Sequence, residues 1–206
     1  TTGTRNLAIG YQAYDGSDTE NDNLAIGYQA MTTNTAGGTR NVAVGNYALD
    51  ALTSGDFNVA VGYNAGTTLT DTDGMTAIGD SALASATTGS YNTAVGYLAL
   101  TANTTGVNNV AVGKDSLDSN TTGSSNVSVG VDSLQGNVTG ASNVAIGMQA
   151  LKSNTADANI AIGSGAAEAN TSGVRNLTIG HDAYTASDTE NDNIAIGYNA
   201  MTTNTA

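Results

Sequence analysis

The 206-residue chain contains no cysteine, no proline and no tryptophan, and it has only one phenylalanine and one histidine. Without cysteine no disulfide framework can form, which leaves the cellular compartment open. The scarcity of large aromatic side chains argues against a thick three-dimensional core, which usually depends on them. The absence of proline is expected if backbone N–H groups throughout the chain take part in hydrogen-bonded ladders.

Positive charge and long apolar runs are also scarce. Five basic residues stand against 18 acidic ones, and the net charge is −13. A phosphate-binding surface, and therefore a nucleic-acid partner, is not expected. No window approaches the 18 or so apolar residues of a membrane span, so we expect no membrane insertion. Disorder is not favoured either, because charged residues make up only 11% and β-branched residues recur at regular intervals.

What the chain does have is a short repeat, aligned on the motif N-V-A-V-G. The motif occurs twelve times and ends each time on a glycine. These glycines are Gly10, Gly27, Gly45, Gly62, Gly79, Gly96, Gly113, Gly130, Gly147, Gly163, Gly180 and Gly197. Nine of the eleven spacings are 17 residues, one is 18 and one is 16. The pattern predicts one continuous repeat array over residues 1–206.

A longer repeat is superimposed on the short one. Residues 17–36 and 187–206 differ at only two of twenty positions, and the offset of 170 residues from one stretch to the other equals ten short units. Residue 1 is therefore equivalent to residue 171. Units that contact only their neighbours can be duplicated as a block without disturbing the rest. Because the chain starts and stops partway through a unit, we interpret it as a fragment of a longer fibre.

Each motif reads as a short β-strand. The residue before every glycine is Ile or Val, and a second, mainly aliphatic column lies two residues earlier. Alternation with a period of two and β-branched residues favour strands. After the glycine come a segment x-x-A-L and a polar turn such as NTTG at 103–106. Glycines in these turns, such as Gly106, are expected to supply positive φ.

A 17-residue unit cannot bury its apolar side alone, but it can when stacked on copies of itself. We therefore predict an all-β fold, a parallel β-solenoid (β-roll) of about twelve 17-residue coils with two narrow sheets facing each other. At roughly 4.8 Å per coil, twelve coils give a rod about 58 Å long.

The small residue between the two aliphatic columns points to the opposite face of the strand. Alanine is a poor strand former at exposed positions, so a row of alanines indicates a surface that another chain approaches closely. We predict that this row is an interchain stripe. Its residues are Ala8, Ala25, Ala43, Ala60, Ala77, Ala94, Ala111, Ala145, Ala161 and Ala195.

The motifs N-V-A-I-G and N-V-A-V-G, followed by x-x-A-L and N-T-T-G, resemble the head repeats of YadA-type trimeric autotransporter adhesins. They are also similar to repeat arrays of phage tail fibres and related bacterial surface fibres. The resemblance covers essentially the whole chain, although these repeats are longer than those of adhesin heads. It implies a left-handed β-roll, a homotrimer and an extracellular location on a cell surface or virion. The resemblance says little about the ligand, and a cell-surface glycan or receptor stays open as a further partner.

Several polar residues have two readings. Asp18, Glu20 and Asp22, their counterparts Asp188, Glu190 and Asp192, and Asp71 and Asp73 offer oxygen ligands for Ca²⁺, but no calcium-binding motif is present and a solvated acidic turn is favoured. The asparagines that begin the strands, from Asn6 to Asn193, are read as a stacked ladder rather than a sugar site. The sequons at Asn103, Asn120, Asn137 and Asn170 are read as turns.

Aromatic and imidazole side chains follow the strand glycine. Tyr11, Tyr28, Tyr63, Tyr97 and Tyr198 share a column with His181. The tyrosines are suited either to stacking on sugar rings or to covering the sheet. A single histidine without cysteines supports neither a metal site nor a nucleophile relay.

These patterns favour a structural role. We expect a fibre segment of a phage tail fibre or bacterial surface adhesin that associates with itself and uses no cofactor. A glycan- or ice-binding solenoid module is the alternative. A β-helical enzyme is disfavoured because no coil carries a unique set of convergent polar groups.

Overall fold

The computed structural model describes residues 3–16, 19–34, 36–185 and 189–202. Within these ranges it contains twelve strands of three residues each and no helix. The strands are β1 (Leu7–Ile9), β2 (Leu24–Ile26), β3 (Val42–Val44), β4 (Val59–Val61), β5 (Thr76–Ile78), β6 (Thr93–Val95), β7 (Val110–Val112), β8 (Val127–Val129), β9 (Val144–Ile146), β10 (Ile160–Ile162), β11 (Leu177–Ile179) and β12 (Ile194–Ile196). We number the coils 1 to 12 after the strand that each contains.

All twelve strands belong to one parallel sheet in sequence order. The register places like residues beside each other: Ala25 of β2 pairs with Ala43 of β3, and Ile26 pairs with Val44. The same register continues from β1 to β12, across both the 18-residue and the 16-residue coils. The prediction of a parallel β-solenoid with a 17-residue period is confirmed.

The segment after the strand glycine is not the second sheet that we expected. In coil 2, Gln29 and Met31 have φ of 51° and 54°, and Leu49 in coil 3 has φ of 50°. Left-handed residues at every second position cannot form a strand. The segment is instead a stack of turns in which the Gln29 N–H donates back to the Tyr11 carbonyl oxygen (2.9 Å) and the Met31 N–H donates forward to that of Ala48 (2.9 Å).

Each left-handed non-glycine residue costs about 1–2 kcal/mol of backbone strain. The strain recurs in every coil, and so do the coil-to-coil hydrogen bonds that offset it. Leu83, for example, has φ of 52°, and its N–H donates to the Ala99 carbonyl oxygen of the next coil at 3.1 Å. Because one coil-to-coil hydrogen bond depends on each such residue, the strain is sustained only by the stack.

The two sets of glycines are required for different reasons. Gly62 ends β4 with φ of 143°, and a Cβ there would lie 2.4 Å from the Gly79 carbonyl oxygen. Gly106 in the polar turn lacks the positive φ that we expected of it. A Cβ at Gly106 would lie 2.3 Å from the carbonyl oxygen of Gly123. The turn glycine is therefore needed for the close approach of successive coils.

The interior of the solenoid is a narrow column of small and medium side chains. On the strand side it contains the alanines, and opposite them lie leucines such as Leu49, Leu83 and Leu100, all with 0% exposure. Because a 17-residue coil encloses little volume, the interior has room for an alanine methyl group on the strand side and a leucine side chain on the turn side. Close packing of this kind restricts the alanine position to small side chains, and the two strands without alanine there have Ser128 and Thr178, both buried.

The prediction of an interchain alanine stripe is therefore wrong. Eight of its ten residues have 0% exposure within a single chain, Ala195 has 3%, and only Ala8 in the first coil is exposed. The buried members are Ala25, Ala43, Ala60, Ala77, Ala94, Ala111, Ala145, Ala161 and Ala195. Alanine occupies the column because the interior is narrow, and the aliphatic columns take the outer face of the sheet.

Helices that could cross a membrane are absent from the described ranges.

Candidate functional surfaces

The outer face of the sheet is a continuous aliphatic surface. We call it the aliphatic face and define it as the first and third residues of strands β1–β12. Inside the array its members are partly exposed, for example Ile78 at 38% and Ile162 at 38%. Ile194 and Ile196 in the last coil reach 64% and 63%. Side chains that alternate along a strand must leave by opposite faces, so the buried alanines force these residues outward.

The aliphatic face carries no charge. Its positions hold Val, Ile or Leu in every strand except for Thr76 and Thr93. With twelve rungs at about 4.8 Å, the surface runs roughly 58 Å along the rod. A large apolar patch on a protein surface usually marks an interaction site. In this structure it is the most distinctive feature of the exterior.

A row of tyrosines lies beside the aliphatic face. The rings of Tyr11 and Tyr28 are stacked with centroids 5.5 Å apart and an interplanar angle of 12°. Tyr28, Tyr47 and Tyr63 continue the row in edge-to-face contacts at 5.4 and 5.9 Å. The rings contact one another along the rod, yet Tyr11 and Tyr63 keep 66% and 50% of their surface exposed.

The strand-leading asparagines form a buried ladder. Asn41 has 0% exposure; its Oδ1 accepts the Asn58 N–H at 2.8 Å and its Nδ2 donates to the Gly55 carbonyl oxygen at 2.8 Å. The same pair of bonds recurs at Asn109, which accepts from the Asn126 N–H at 2.9 Å. The ladder interpretation is correct, and inside the array these amides are closed to a sugar.

The sequon asparagines lie in a second buried ladder. Asn103, Asn120, Asn137 and Asn170 all have 0% exposure. The Asn120 Nδ2 donates to the Asn103 Oδ1 at 2.8 Å and to the Gly123 carbonyl oxygen at 3.0 Å. A glycosyl donor could not reach these side chains in the folded chain, which agrees with their interpretation as turn residues.

Three of the candidate calcium ligands, Asp22, Asp71 and Asp73, each accept hydrogen bonds from a neighbouring coil. Asp22 accepts hydrogen bonds from the guanidinium of Arg5, which lower the pKa of its carboxyl below the usual value. Asp71 accepts from the hydroxyls of Thr53 (2.6 Å) and Ser54 (2.7 Å), which likewise lower its pKa. Asp73 accepts the Asp56 N–H at 2.8 Å.

Coil 2 buries one of the predicted oxygen ligands. Glu20 is 1% exposed and accepts the Gly37 N–H at 3.1 Å, whereas its counterpart Glu190 is partly exposed. Asp192 pairs with Arg175 through bonds of 2.6 and 2.7 Å, which lower its pKa. Asp18 and Asp188 lie outside the described residues. Across the described part of the chain, no three His, Asp or Glu side chains converge as a metal site would require.

One buried polar cluster was not predicted. Ser128 replaces alanine in β8, and Ser116 and Ser133 face it from the turns of coils 7 and 8. The Ser128 Oγ lies 2.8 Å from the Ser116 Oγ and 2.5 Å from the Ser133 Oγ. All three are 0% exposed. Each buried hydroxyl finds its hydrogen-bond partner within the cluster. In the sequence, the replacement of alanine by serine at these three positions on neighbouring coils could have indicated the cluster.

His181 contacts a single carboxylate, with its Nδ1 3.0 Å from the Asp182 Oδ2. Both side chains are about half exposed, and the histidine ring also lies beside Tyr198, with centroids 5.7 Å apart. No nucleophile approaches the imidazole in these contacts, which are those of a surface residue.

Comparison of the chain with protein-family models, with curated proteins and with solved structures finds no match.

Proposed function

We propose that this chain is a structural fibre segment, a stiff rod that associates side by side with copies of itself through the aliphatic face. The main observation that supports this proposal is the aliphatic face, a charge-free surface about 58 Å long that a single chain leaves open. It takes the place of the alanine stripe as the interchain surface, because the alanines are already buried within one chain.

Burial of the aliphatic face would supply the energy of association. Fully burying one Val or Ile contributes about 1.5–3 kcal/mol relative to leaving it exposed, and these residues begin partly buried, so each adds a fraction of that amount. Many such fractions along the rod offset the entropy lost on association. A homotrimer is our expectation for the number of chains, following the resemblance to trimeric adhesin heads.

The proposed mechanism is mechanical. Each coil is hydrogen-bonded to the next by the sheet and by the left-handed turns, so few backbone groups are open to a protease. We propose that the rod holds apart two ends of an extracellular fibre, as in a phage tail fibre or a bacterial surface adhesin. In this role the chain carries out no catalysis and needs no cofactor.

Light scattering or native mass spectrometry of the 206-residue chain tests the proposal. The chain should be an oligomer, and Val112→Lys, which places a charge in the middle of the aliphatic face, should shift it towards monomer. Thr122→Lys, at an exposed turn of a neighbouring coil, is the matched control and should leave the mass unchanged. A wild-type chain that stays monomeric at high concentration would rule out lateral association.

A second function, binding of an extended glycan, is favoured by the exposed tyrosine row. Aromatic rings pack well against sugar rings, and Tyr28 and Tyr63 of the row are 41% and 50% exposed. Calorimetric titration of the chain with cell-surface polysaccharides should then show heat that the double variant Tyr28→Ala, Tyr63→Ala lowers, and equal heat from the wild type and the variant would rule out binding on the row. An ice-binding face has less support, because Thr76 and Thr93 are the only threonines on the aliphatic face.

A further inference from the structure

The tyrosine row beside the aliphatic face brings four phenol rings into contact. Tyr11, Tyr28, Tyr47 and Tyr63 follow the strand glycines of coils 1 to 4 by one or two residues. The Tyr11 and Tyr28 rings are stacked, with centroids 5.5 Å apart. The contacts of Tyr28 with Tyr47 and of Tyr47 with Tyr63 have centroid distances of 5.4 and 5.9 Å. The four phenols thus form an unbroken chain of ring contacts along the rod.

The backbone of the solenoid holds these rings beside one another. The Gln29 N–H donates to the Tyr11 carbonyl oxygen at 2.9 Å, and the Tyr47 N–H donates to the Tyr28 carbonyl oxygen at 3.0 Å. The Tyr28 N–H donates to the Asn46 Oδ1 at 2.9 Å. Because these hydrogen bonds run from coil to coil, the main chain of each tyrosine is fixed next to that of its neighbour, and the rings stay within reach of each other.

The rings of the row are also open to solvent. Tyr28 is 41% exposed and Tyr63 is 50% exposed, and both belong to coils that have a neighbour on each side. Tyr47 between them is partly exposed. Desolvation and the neighbouring Tyr28 and Tyr63 raise the pKa of Tyr47, which agrees with phenol groups that lie close together. A reagent in solution can therefore reach phenols that are already packed against each other.

Tyr97 has the same exposure without the same neighbours. It occupies the corresponding column in coil 6 and is 49% exposed. The column holds Asp80 in coil 5 and Lys114 in coil 7. Within the described ranges, no aromatic ring contacts Tyr97. The chain thus contains its own control, a phenol that a reagent reaches as easily but that has no second phenol beside it.

We propose that the tyrosine row is a site of oxidative cross-linking, at which a haem peroxidase with hydrogen peroxide joins tyrosines of adjacent coils through a carbon–carbon bond. Each of two neighbouring phenols loses one electron and one proton and becomes a phenoxyl radical. The two radicals couple at the Cε carbons next to the hydroxyls, and the hydrogen on each of these carbons moves to a phenol oxygen. The pair loses two hydrogen atoms in all, which reduce one molecule of hydrogen peroxide to two of water.

The fixed contacts of the row favour coupling within one chain. Radicals on separate molecules must meet by diffusion, whereas neighbours in the row are held together at a high effective concentration. Each bond closes a loop of about one coil and restricts the unfolded chain, as a disulfide would. The chain has no cysteine, so coupled tyrosines give it a covalent tie between coils that disulfides cannot supply. The cross-linking does not depend on lateral association, because every contact it uses lies within one chain.

Treatment of the dilute 206-residue chain with a haem peroxidase and hydrogen peroxide tests the proposal. Dityrosine fluorescence should appear while the product still runs as a single chain on a denaturing gel. Digestion of the unfolded product with trypsin and a glutamyl protease separates Tyr11, Tyr28 and Tyr47, because Glu20 and Arg40 lie between them. Mass spectrometry should find these peptides joined, with two hydrogen atoms lost for each link. The absence of such links, or links between chains only, would overturn the proposal.

Two conservative variants test whether the row directs the coupling. Tyr28→Phe keeps the ring but removes the hydroxyl that two of the three contacts share, so the yield of dityrosine should fall at least about twofold. Tyr97→Phe is the matched control, because it removes a phenol of similar exposure outside the row and should leave the yield unchanged. An equal loss in both variants, or no loss in Tyr28→Phe, would show that exposure alone directs the oxidation and would contradict the proposed site.

Discussion

Coils 2 and 12 carry almost the same residues but have different surroundings. Coil 2 lies between two coils, whereas coil 12 has a neighbour on one side only. Met31 is 0% exposed and its counterpart Met201 is 37% exposed, and Glu20 is buried where Glu190 is not. The difference teaches that the next coil completes the burial that each coil begins, since Ala195 is only 3% exposed in coil 12 while Met201 is 37% exposed.

The largest contrast should be at the strand glycines. A Cβ at Gly27 would lie 2.4 Å from the Gly45 carbonyl oxygen, whereas at Gly197 the nearest atom is 3.9 Å away. Both have positive φ, 140° and 130°, which costs an alanine about 1–3 kcal/mol. Gly27→Ala should lower the free energy of unfolding, measured in urea, by several kcal/mol more than Gly197→Ala, because the backbone of Gly45 cannot move aside. Equal losses would show that the coils are further apart than described.

The methionines should give the next largest contrast. Met31→Ala removes a fully buried side chain from the interior and should destabilise the chain by about 2–5 kcal/mol. Met201→Ala should cost less than about 1 kcal/mol, because that side chain is already partly in water. Urea unfolding followed by circular dichroism measures both. If Met201→Ala costs as much as Met31→Ala, the partial exposure of Met201 is contradicted.

The ladder asparagines should give a smaller contrast. The Asn23 Oδ1 accepts the Asn41 N–H at 2.8 Å and its Nδ2 donates to the Gly38 carbonyl oxygen at 2.8 Å. Asn23→Ala leaves the Asn41 N–H buried without its acceptor, while the Gly38 carbonyl oxygen keeps the bond from the Asn34 Nδ2 at 2.9 Å, and the change should cost about 2 kcal/mol. Asn193 bonds through its Nδ2 to the Tyr184 hydroxyl at 2.8 Å and has no coil above it, so Asn193→Ala should cost about 1 kcal/mol. Thermal unfolding at matched concentrations would detect the difference, and a reversed order would refute the ladder.

The smallest effect should be in the titration of the paired aspartates. Hydrogen bonds from Arg5 lower the pKa of Asp22, and those from Arg175 lower the pKa of Asp192. A lowered folded-state pKa adds stability that is present above the ordinary carboxyl pKa of about 4 and is lost as pH falls through the folded value. NMR titration should place the pKa values of Asp22 and Asp192 below the ordinary carboxyl value, and Arg175→Gln should raise that of Asp192 towards it while leaving that of Asp22 unchanged. An unchanged pKa of Asp192 in the variant would contradict this pairing.

Sequence periodicity was sufficient to predict the stack. The Ile and Val columns predicted the strands, and the nearly constant spacing of the glycines predicted the length of each coil. Asn41 and its equivalents were recognised as a ladder. These predictions succeed because each coil must repeat whatever its neighbour requires, so one structural constraint appears twelve times in the sequence.

Two features could not be read from the repeat. Leucines such as Leu49 and Leu83 adopt left-handed backbone, which leucine avoids in isolation, so no residue preference indicates it. The alternation in β3 showed that Ala43 and its flanking valines face opposite ways but not which way is inward. That choice depends on the width of the coil, and here a narrow interior places Ala43 inside.

Disulfide trapping tests most directly whether each coil lies in register on the next. Because the chain has no native cysteine, Val95→Cys with Val112→Cys gives an unambiguous pair. Val95 and Val112 are register partners in β6 and β7. At a strand spacing of about 4.8 Å they fall within disulfide reach. We predict an intramolecular disulfide for this pair and none for Val95→Cys with Val129→Cys, two strands apart. No bond in the first pair, or equal bonding in both, would contradict the stacked solenoid.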